Sequence, residues 1–363
     1  MNESLFISYV KDFFAPIVQS IITLINGKPE AETLLNKTML TEEYSADLKW
    51  GSKQINKSIV AADVVSMDSS LPLKKRDSIQ SAQGEIVKIG MKLKKGERAI
   101  KNIQIMEASG ATQDQIVSAI FDDVPKCIAG MDVRKEIMFE QALSTGYALI
   151  QDADNSSIGI RVNYGYKDDN QLYPSVVWGA DEADYDANLE EMFSKIEADG
   201  RTAPYVYLSK KYFNYYKNST QGKALAASFN NLNYSDTSTL PTPSKATFLA
   251  ALEDAYGAKF TIIDKSFITE KNGVQTSIKP WKEDAVVFTY SNIVGRMVYG
   301  TCAEVMNPVA GVEYQAATQG TLISKYSKND PLIEFTSAQA LALPVIDGVE
   351  GIYILHAGST SAE

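Results

Sequence analysis

The sequence predicts an α+β protein, in which extensions and one long helix precede a compact part of alternating helices and strands. Three patterns support this prediction: a strand-like alternation in residues 88–94, a helical periodicity that begins near Pro125, and helix signals that alternate with strand signals after Leu189. The chain has 363 residues, of which 45% are hydrophobic and 22% charged. It therefore contains enough apolar material for a sizeable core.

Residues 1–50 are interpreted as an N-terminal arm. Apolar residues fall at helical spacing near its start, namely Leu5, Phe6, Tyr9, Val10, Phe13 and Phe14. Pro16 then interrupts the pattern. We expect no signal peptide, because Glu3 stands where positive charge is required and Lys11 lies inside the apolar run. The arm is expected to be amphipathic and to dock on protein rather than on lipid.

Residues 51–98 are interpreted as one extended loop, a β-hairpin. Its second limb alternates strictly between apolar and polar residues from Lys88 to Lys94, which is the period of a half-exposed strand. Its first limb, "SIVAADVVSM", is also rich in strand formers. Between them, "DSSLPLKKRD" begins at Asp68 and has the composition of a turn. A hairpin with so few apolar residues is expected to project and to need a neighbouring chain to cover it.

The tip of this hairpin carries a basic triplet, Lys74, Lys75 and Arg76, on a chain with a formal net charge of -10. Taken alone, such a triplet is typical of a nucleic-acid contact or a targeting signal. At the end of a projecting hairpin it is suited to pairing with carboxylates on the next copy of the chain. We therefore interpret Pro72, Lys74, Lys75 and Arg76 as an inter-subunit contact, with an ordinary solvated turn as the alternative.

Residues 99–165 predict a capping box, a long helix and a hairpin. Thr112 and Gln115 have the capping-box spacing. From Pro125 to Gly146, apolar residues recur near every 3.6 positions, which predicts a helix of about 20 residues and about 30 Å. The stretch "YALIQDADNSSIGIRVNYG" then predicts two strands around a turn.

Residues 166–305 predict alternating helices and strands. Ser209 has the position of an N-cap for "KKYFNYYKNS", and Gly257 ends the helix of "KATFLAALEDAYG". Strands are predicted at "APYVYLS", "FTIID", "EDAVVFTYSN" and "GRMVYG", with Asn272 and Gly273 as a turn. Residues 306–363 predict four more strands, "TLISKYS", "PLIEFTS", "ALALPVI" and "GIYILHA".

Composition argues against most catalytic chemistry. His356 is the only histidine and is expected to be a strand-end or tail residue, and neither GxSxG nor HExxH occurs. Cys127 and Cys302 are far apart and no CxxC exists, so both are expected to be free core thiols. We expect neither an enzyme nor a bound cofactor or metal. The acidic net charge argues against a general nucleic-acid binder. The sequence contains no run of about 18 apolar residues, so no membrane span is predicted.

Two clusters admit alternatives. The acidic stretch 181–190 invites a calcium loop, but Leu189 stands where an EF-hand requires glycine, so turn and N-cap roles are favoured. The aromatic run in "YVYLSKKYFNYYKNS" invites base stacking. At helical spacing, however, Phe213 and Tyr216 would face a core, with Tyr212 and Tyr215 at its margin, and core packing is favoured.

The order of these elements resembles the major capsid proteins of tailed bacteriophages, whose fold is shared with encapsulins. The long helix "PKCIAGMDVRKEIMFEQALSTG" corresponds to their spine helix. The stretch "IGIRVNYGYKDDNQLYPSVVWGADEADYDANLEEMFSKIEADGRTAPYVYLSKKYFNYY" looks like the start of the axial domain in lambda-type capsid proteins. The resemblance implies the phage major capsid fold, with these parts: an N-terminal arm (1–50), an extended loop (51–98), a peripheral domain with the spine helix (99–165), an α/β axial domain (166–305) and C-terminal strands that return to the peripheral domain (306–363).

The resemblance implies a structural function. It predicts self-assembly, as pentamers and hexamers, into the icosahedral shell that encloses the double-stranded DNA of a tailed phage. The implied partners are further copies of the chain, a portal, and DNA held by non-specific contact, with no membrane. A separate scaffolding protein is expected because no long helical segment precedes the arm. The implied location is the virion, after assembly in the host bacterial cytoplasm. An encapsulin-like compartment shell, and a hydrolase that uses acidic residues in 181–190, remain as alternatives.

Overall fold

The computed structural model describes residues 2–26, 34–51, 83–151, 159–232, 236, 239–271 and 273–361. The chain divides into two compact units. The first unit comprises Met1–Trp50, Gln83–Phe139 and Arg296–Val345, and the described residues of the second lie in Gly51, Glu140–Gly295 and Ile346–Glu363. Each unit combines helices with a β-sheet, so the predicted α+β class is confirmed.

Within the described residues, the helices are α1 (Ile7–Asn26), α2 (Leu35–Met39), α3 (Glu97–Ala108), α4 (Gln113–Phe121), α5 (Asp123–Thr145), α6 (Tyr185–Ala198), α7 (Lys210–Asn218), α8 (Thr220–Phe229), α9 (Lys245–Tyr256) and α10 (Ala303–Met306). The strands are β1 (Leu40–Tyr44), β2 (Lys49–Gly51), β3 (Gln83–Glu85), β4 (Lys88–Gly96), β5 (Tyr147–Gln151), β6 (Gly159–Asn163), β7 (Gln171–Leu172), β8 (Tyr205–Ser209), β9 (Lys259–Ile263), β10 (Phe267–Lys271), β11 (Val274–Ile278), β12 (Ala285–Thr289), β13 (Gly295–Gly300), β14 (Glu313–Ala316), β15 (Leu322–Lys328), β16 (Ile333–Ile346) and β17 (Tyr353–His356).

Helix α1 lies in the predicted N-terminal arm and packs on protein, as expected: the ring of Phe14 stacks on Phe121 of α4 at 5.9 Å. A buried stripe with a spacing of four begins at Phe6, just before the helix, and continues with Val10, Phe14 and Val18. The expectation that Pro16 interrupts the helix is wrong, because the helix continues through it to Asn26. Pro16 is exposed, so water can donate to the backbone carbonyl that lacks an amide partner because of the proline. Burial of the apolar stripe outweighs the cost of a proline inside a helix, which is about 3 kcal/mol.

The local signals around the long helix are confirmed. Thr112 Oγ1 accepts the amide of Gln115 at 3.4 Å, and Gln115 Oε1 accepts the amide of Thr112 at 3.0 Å, which completes the capping box of α4. Helix α5 has 23 residues, with Pro125 in its first turn. It ends before Gly146, whose φ of 75° is the left-handed conformation that glycine adopts without strain.

The sheet of the first unit has the order β1-β13-β16-β15-β14, and β4 also pairs with β16. The prediction of two separate strands at "PLIEFTS" and "ALALPVI" is wrong, because β16 is one strand of 14 residues. Ser337 and Gln339 belong to the more exposed face of this continuous strand, since Thr336, Ala338 and Ala340 alternate with them and are buried.

The second unit has a five-stranded sheet of order β7-β17-β12-β8-β9. Its last strand, β17, belongs to this sheet, which differs from the expectation that all of 306–363 returns to the peripheral domain. Ser209 caps α7 as predicted, accepting the amide of Tyr212. Phe213 and Tyr216 are buried as predicted, and Tyr212 is buried with them, so these rings fill a core instead of forming a surface for base stacking.

Two hairpins complete the second unit. β5 pairs antiparallel with β6 as predicted, although the turn residues 152–158 lie outside the described residues. β10 pairs with β11, and the pairing of Lys271 with Val274 leaves a two-residue loop. Gly273 has a φ of 77° in that loop, which agrees with the predicted turn, and Asn272 lies outside the described residues.

His356, the only histidine of the chain, lies at the end of β17 and is buried. Its Nε2 lies 3.0 Å from Gln171 Oε1, and its ring stacks on Tyr173 at 4.6 Å. Lys282 Nζ lies 3.4 Å from its Nδ1. Burial, followed by the nearby Lys282 cation, lowers the pKa of His356 from 6.5 to about 4.

We predict that His356 destabilises the second unit as the pH falls. Its folded-state pKa lies below its ordinary value, so between pH 6.5 and about 4 the unfolded chain binds a proton that the folded chain excludes. The contribution of this group to the free energy of unfolding therefore decreases as the pH is lowered from 6.5 to about 4, by about 3 kcal/mol in total. The chain has a single histidine, so NMR of its imidazole gives an unambiguous titration curve.

Urea midpoints at pH 7 and pH 4.5, for the wild type and for His356→Gln, separate this effect from that of the carboxylates. The wild type should lose more stability than the variant over this interval. An imidazole that titrates near 6.5 in the folded chain would contradict the prediction.

Candidate functional site

Reactive side chains in the described part of the chain serve packing. No group of three or more His, Cys, Asp or Glu residues could hold a metal ion within these residues. Cys127 and Cys302 are free and buried, as predicted. Burial raises the pKa of Cys127 to about 11 and also raises that of Cys302, so both thiols stay protonated at neutral pH and are poor nucleophiles.

The acidic stretch 181–190 has structural roles. Asp184 caps α6, because its Oδ1 accepts the amide of Ala187 at 3.1 Å and the side-chain amide of Gln221 at 3.0 Å. Asp186 accepts a hydrogen bond from the buried hydroxyl of Tyr216. The predicted N-cap role is thus confirmed for Asp184, and both carboxylates are engaged in holding local structure.

The N-terminal segment before α1 is attached to β15 and β16. Asn2 and Ser327 exchange two backbone hydrogen bonds of 3.0 Å each. The hydroxyl of Ser4 donates to Glu334, and the amide of Leu5 donates to Glu334 Oε2 at 3.1 Å. Both oxygens of one buried carboxylate therefore accept hydrogen bonds from the start of the chain.

The same carboxylate faces a buried cation. Lys325 is fully buried, and its Nζ lies 3.5 Å from Glu334 Oε1. The ammonium also donates to the carbonyl of Ile120 at 3.3 Å and to Thr336 Oγ1 at 3.3 Å. Burial lowers the pKa of Lys325, and the Glu334 carboxylate opposes that effect. We name Ser4, Lys325 and Glu334 the buried anchor.

A second set of contacts ties α2 to the long helix α5. Glu136 accepts the amides of Leu35 at 2.7 Å and of Asn36 at 2.8 Å, at the N-terminus of α2. Leu34, in the N-cap position, supplies no side-chain acceptor, so a carboxylate from another helix takes that role. Lys37 and Asp132 add an ion pair of 2.7 Å. These contacts attach the start of α2 to helix α5.

The base of the extended loop is well defined. β2 pairs with β3, and the amide of Ile86 donates to the carbonyl of Leu48 at 2.8 Å. Residues 52–82 thus begin and end on neighbouring strands. The strand predicted at Lys88 to Lys94 is confirmed as β4. It pairs antiparallel with β16 over nine consecutive positions, and its place in a hairpin with the first limb stays a prediction.

The residues predicted at the loop tip are Pro72, Lys74, Lys75 and Arg76, and they lie outside the described residues, as does the predicted first limb. Their role as an inter-subunit contact stays a prediction.

Sequence reasoning missed the buried anchor. A signal for part of it exists, because Lys325 and Glu334 occupy strand positions whose neighbours at a spacing of two include Ile323, Thr336 and Ala338, on the buried face. A charge at such a position indicates a buried partner. No local pattern points to Ser4, which lies 330 positions from Glu334 in sequence.

Comparison with known proteins identifies the fold. A putative capsid protein of a prophage from E. coli CFT073 matches with a TM-score of 0.55 at 14% identity, over 93% of this chain and 98% of that protein. A phage-related protein from Bordetella bronchiseptica RB50 matches with a TM-score of 0.49 at 12% identity, over 96% of this chain and 98% of that one. A chain of the cyanophage A-1(L) capsid matches with a TM-score of 0.48 at 11% identity, over 92% of this chain and 96% of that one. No protein-family model and no curated protein matches the sequence.

The first of these matches carries the conclusion. It extends over nearly the whole of both chains, so the similarity concerns the complete order of elements and not one shared motif. The chain has the fold of a phage capsid protein, which confirms the fold that the sequence resemblance implied.

We predict that Glu334→Ala destabilises the first unit by about 3 to 5 kcal/mol, because it leaves the Lys325 ammonium buried without a counter-charge. The double variant Lys325→Met, Glu334→Leu removes both charges and should recover much of that loss. Urea unfolding of the subunit measures both.

The control is Glu283→Ala, which breaks the solvent-exposed pair with Lys211 and should cost less than about 1 kcal/mol. Equal stability losses for the single and double anchor variants would show that the ion pair is not the source of the effect.

Proposed function

We propose that this chain is the major capsid protein of a tailed phage. In this proposal it self-assembles, as pentamers and hexamers, into an icosahedral shell that encloses double-stranded DNA. The observation that carries the proposal is the capsid-protein fold, matched over 93% of the chain. Fold alone does not specify function, so features of the chain that need a neighbouring copy supply the second part of the argument.

Several apolar side chains on described elements are exposed to solvent. The side chains of Ile268 and Val274, on the β10–β11 hairpin, are 69% and 63% exposed. A two-stranded hairpin is marginal when nothing covers it. Met306, the last residue of the short helix α10, is 76% exposed. Contacts with further copies would bury such residues, which supports a role in an assembly.

The base of the extended loop supports the same proposal. A segment of 52–82 that leaves and returns on neighbouring strands costs conformational entropy, and contact with another subunit would offset that cost. We propose the parts that the resemblance implied: arm (1–50), extended loop (51–98), peripheral domain (99–165), axial domain (166–305) and C-terminal strands (306–363). The proposed partners are a portal and a separate scaffolding protein, and the proposed location is the virion, after assembly in the host cytoplasm.

Electron microscopy of the expressed protein, alone and with co-expressed scaffold, tests the proposal. Hollow particles of uniform size are expected. Particles that capture an enzyme through a terminal peptide, and hold no DNA when a portal is supplied, would favour a compartment shell instead. A chain that stays monomeric under every assembly condition would count against any shell function.

We predict that Lys74→Glu, Lys75→Glu, Arg76→Glu leaves the subunit folded but impairs assembly. The reversal replaces attraction between the loop tip and carboxylates of the next copy by repulsion, so the defect should be largest at low salt and should lessen as salt screens the charges. Circular dichroism checks the fold, and light scattering at 50 mM and 500 mM salt follows assembly.

The matched control reverses three exposed lysines of the second unit, Lys245, Lys259 and Lys271, and so introduces the same change in net charge. Assembly of the control should stay closer to that of the wild type. If shells form normally from the tip variant, the tip is an ordinary solvated turn.

A further inference from the structure

The outer face of the first unit's sheet is defined by strand register. Lys95 pairs with Glu334, which is buried, so these side chains lie on the inner face. Their immediate neighbours therefore lie on the outer face: Lys94 pairs with Phe335, and Phe335 pairs with Tyr326 on β15. We name this outer surface the basic sheet face; its main members are Lys88, Lys92, Lys94, Lys328, Tyr326 and Phe335.

The basic sheet face has positive charge without strand carboxylates. Its four lysines are all exposed. Strands β4 and β15 contain no acidic residue, and the one acidic residue of β16, Glu334, lies on the inner face. Lys88 pairs with Glu304 at 3.3 Å, whereas Lys92, Lys94 and Lys328 form no ion pair within the described residues. On a chain of net charge -10, this concentration of unpaired cations favours an anionic partner.

The spacing of the lysines suits an extended polyanion. Lys92 and Lys94 are two positions apart on one strand, which separates them by about 7 Å, and Lys88 lies about 20 Å from Lys94 along the same strand. Lys328 lies two strands away from β4, about 10 Å across the sheet. Duplex DNA presents one charge per about 1.7 Å of its axis, so a 20 Å face meets about a dozen phosphates.

The face carries few side chains that are specialised for reading base edges. Phe335 and Tyr326 stack at 5.3 Å, and Lys92 Nζ lies 5.7 Å from the centre of the Phe335 ring. The outward residues of these strands include no arginine and no asparagine, and Gln339 is the one side-chain amide among them. Contacts from lysine to phosphate position a duplex without reading its sequence.

We propose that the basic sheet face binds the phosphate backbone of duplex DNA without sequence preference. The exposed lysines of the face indicate that its partner is a polyanion. The choice of duplex DNA as that polyanion rests on the proposed function. An acidic protein segment and a second copy of this chain are the competing occupants, and the experiment distinguishes them.

Binding is measured by fluorescence anisotropy of a labelled 30-base-pair duplex, with the full chain before assembly and over a series of salt concentrations. The logarithm of the binding constant should fall by about 0.9 per neutralised phosphate for each unit of log salt, so a slope of about -3 is expected. The triple variant Lys92→Gln, Lys94→Gln, Lys328→Gln should bind at least tenfold more weakly at low salt. Its slope should become shallower, between about -1 and zero. Urea unfolding confirms that this variant is folded.

The control variant Lys245→Gln, Lys259→Gln, Lys271→Gln makes the same charge change on exposed lysines of the second unit and should bind DNA like the wild type. Equal binding by the wild type and by the face variant would overturn the inference. Displacement of the duplex by poly-glutamate at equal charge concentration would also overturn it, in favour of an acidic protein partner.

Electron microscopy of the same variants separates this inference from the proposed function. Shells that form normally from the face variant, combined with its weakened DNA binding, support both. A face variant that binds DNA normally but does not assemble would identify the face as a contact between copies, which overturns the inference and leaves the shell function standing. If the wild type forms no shells, the proposed function fails, and the anisotropy result still decides whether the face binds DNA.

Discussion

The antiparallel register between β4 and β16 is the constraint on which the first unit depends. It runs through nine consecutive pairs, from Ile333 with Gly96 to Leu341 with Lys88. Because side chains alternate between faces, this register places Met91 and Leu93 inward and Lys92 and Lys94 outward. A shift by one residue would bury the lysines and expose the apolar residues, at a cost of several kcal/mol for each unpaired charge. The predicted extended loop (51–98) therefore contains, near its C-terminal end, a strand whose position is strongly specified.

The buried anchor places a buried ion pair on the inner face, and its hydrogen bonds to the N-terminal segment explain why charge is retained there. Glu334 accepts from the hydroxyl of Ser4 and from the amide of Leu5, so it fixes the start of the chain as well as compensating Lys325. An apolar pair of similar size would fill the same volume without a desolvation penalty. It would provide no acceptor for the backbone amide, and an amide buried without a partner costs about 1 to 3 kcal/mol. Charge at this position specifies where the N-terminal segment binds.

The sequence was informative wherever structure is determined by neighbours within a few positions. The capping box at Thr112, the N-cap at Ser209, the 23-residue helix α5 and the alternation of β4 were all predicted and confirmed, because each depends on spacing along one element. The error at Pro16 arose where packing overrides a local break signal. The error in β16 arose because pairing with β4 continues through the residues between the two predicted strands. The buried anchor could not have been predicted in full, since its parts come from residues more than 300 positions apart and Ser4 carries no local signature.

Cations are the rarer charged groups in this chain, which has 35 lysines and arginines against 45 aspartates and glutamates. Two copies therefore repel one another on average, and the positions of clustered cations determine which surfaces can approach another acidic surface. The register of β4 places three lysines of one short stretch on the same side of a sheet, at a spacing that side-chain alternation enforces. A basic face formed in this way is rigid, because moving any one lysine inward would require the whole strand to shift. The long lysine side chains remain flexible, but the strand fixes their backbone positions. Less conformational entropy is therefore lost when an extended polyanion contacts several of them than if the same lysines were spread along an unstructured segment.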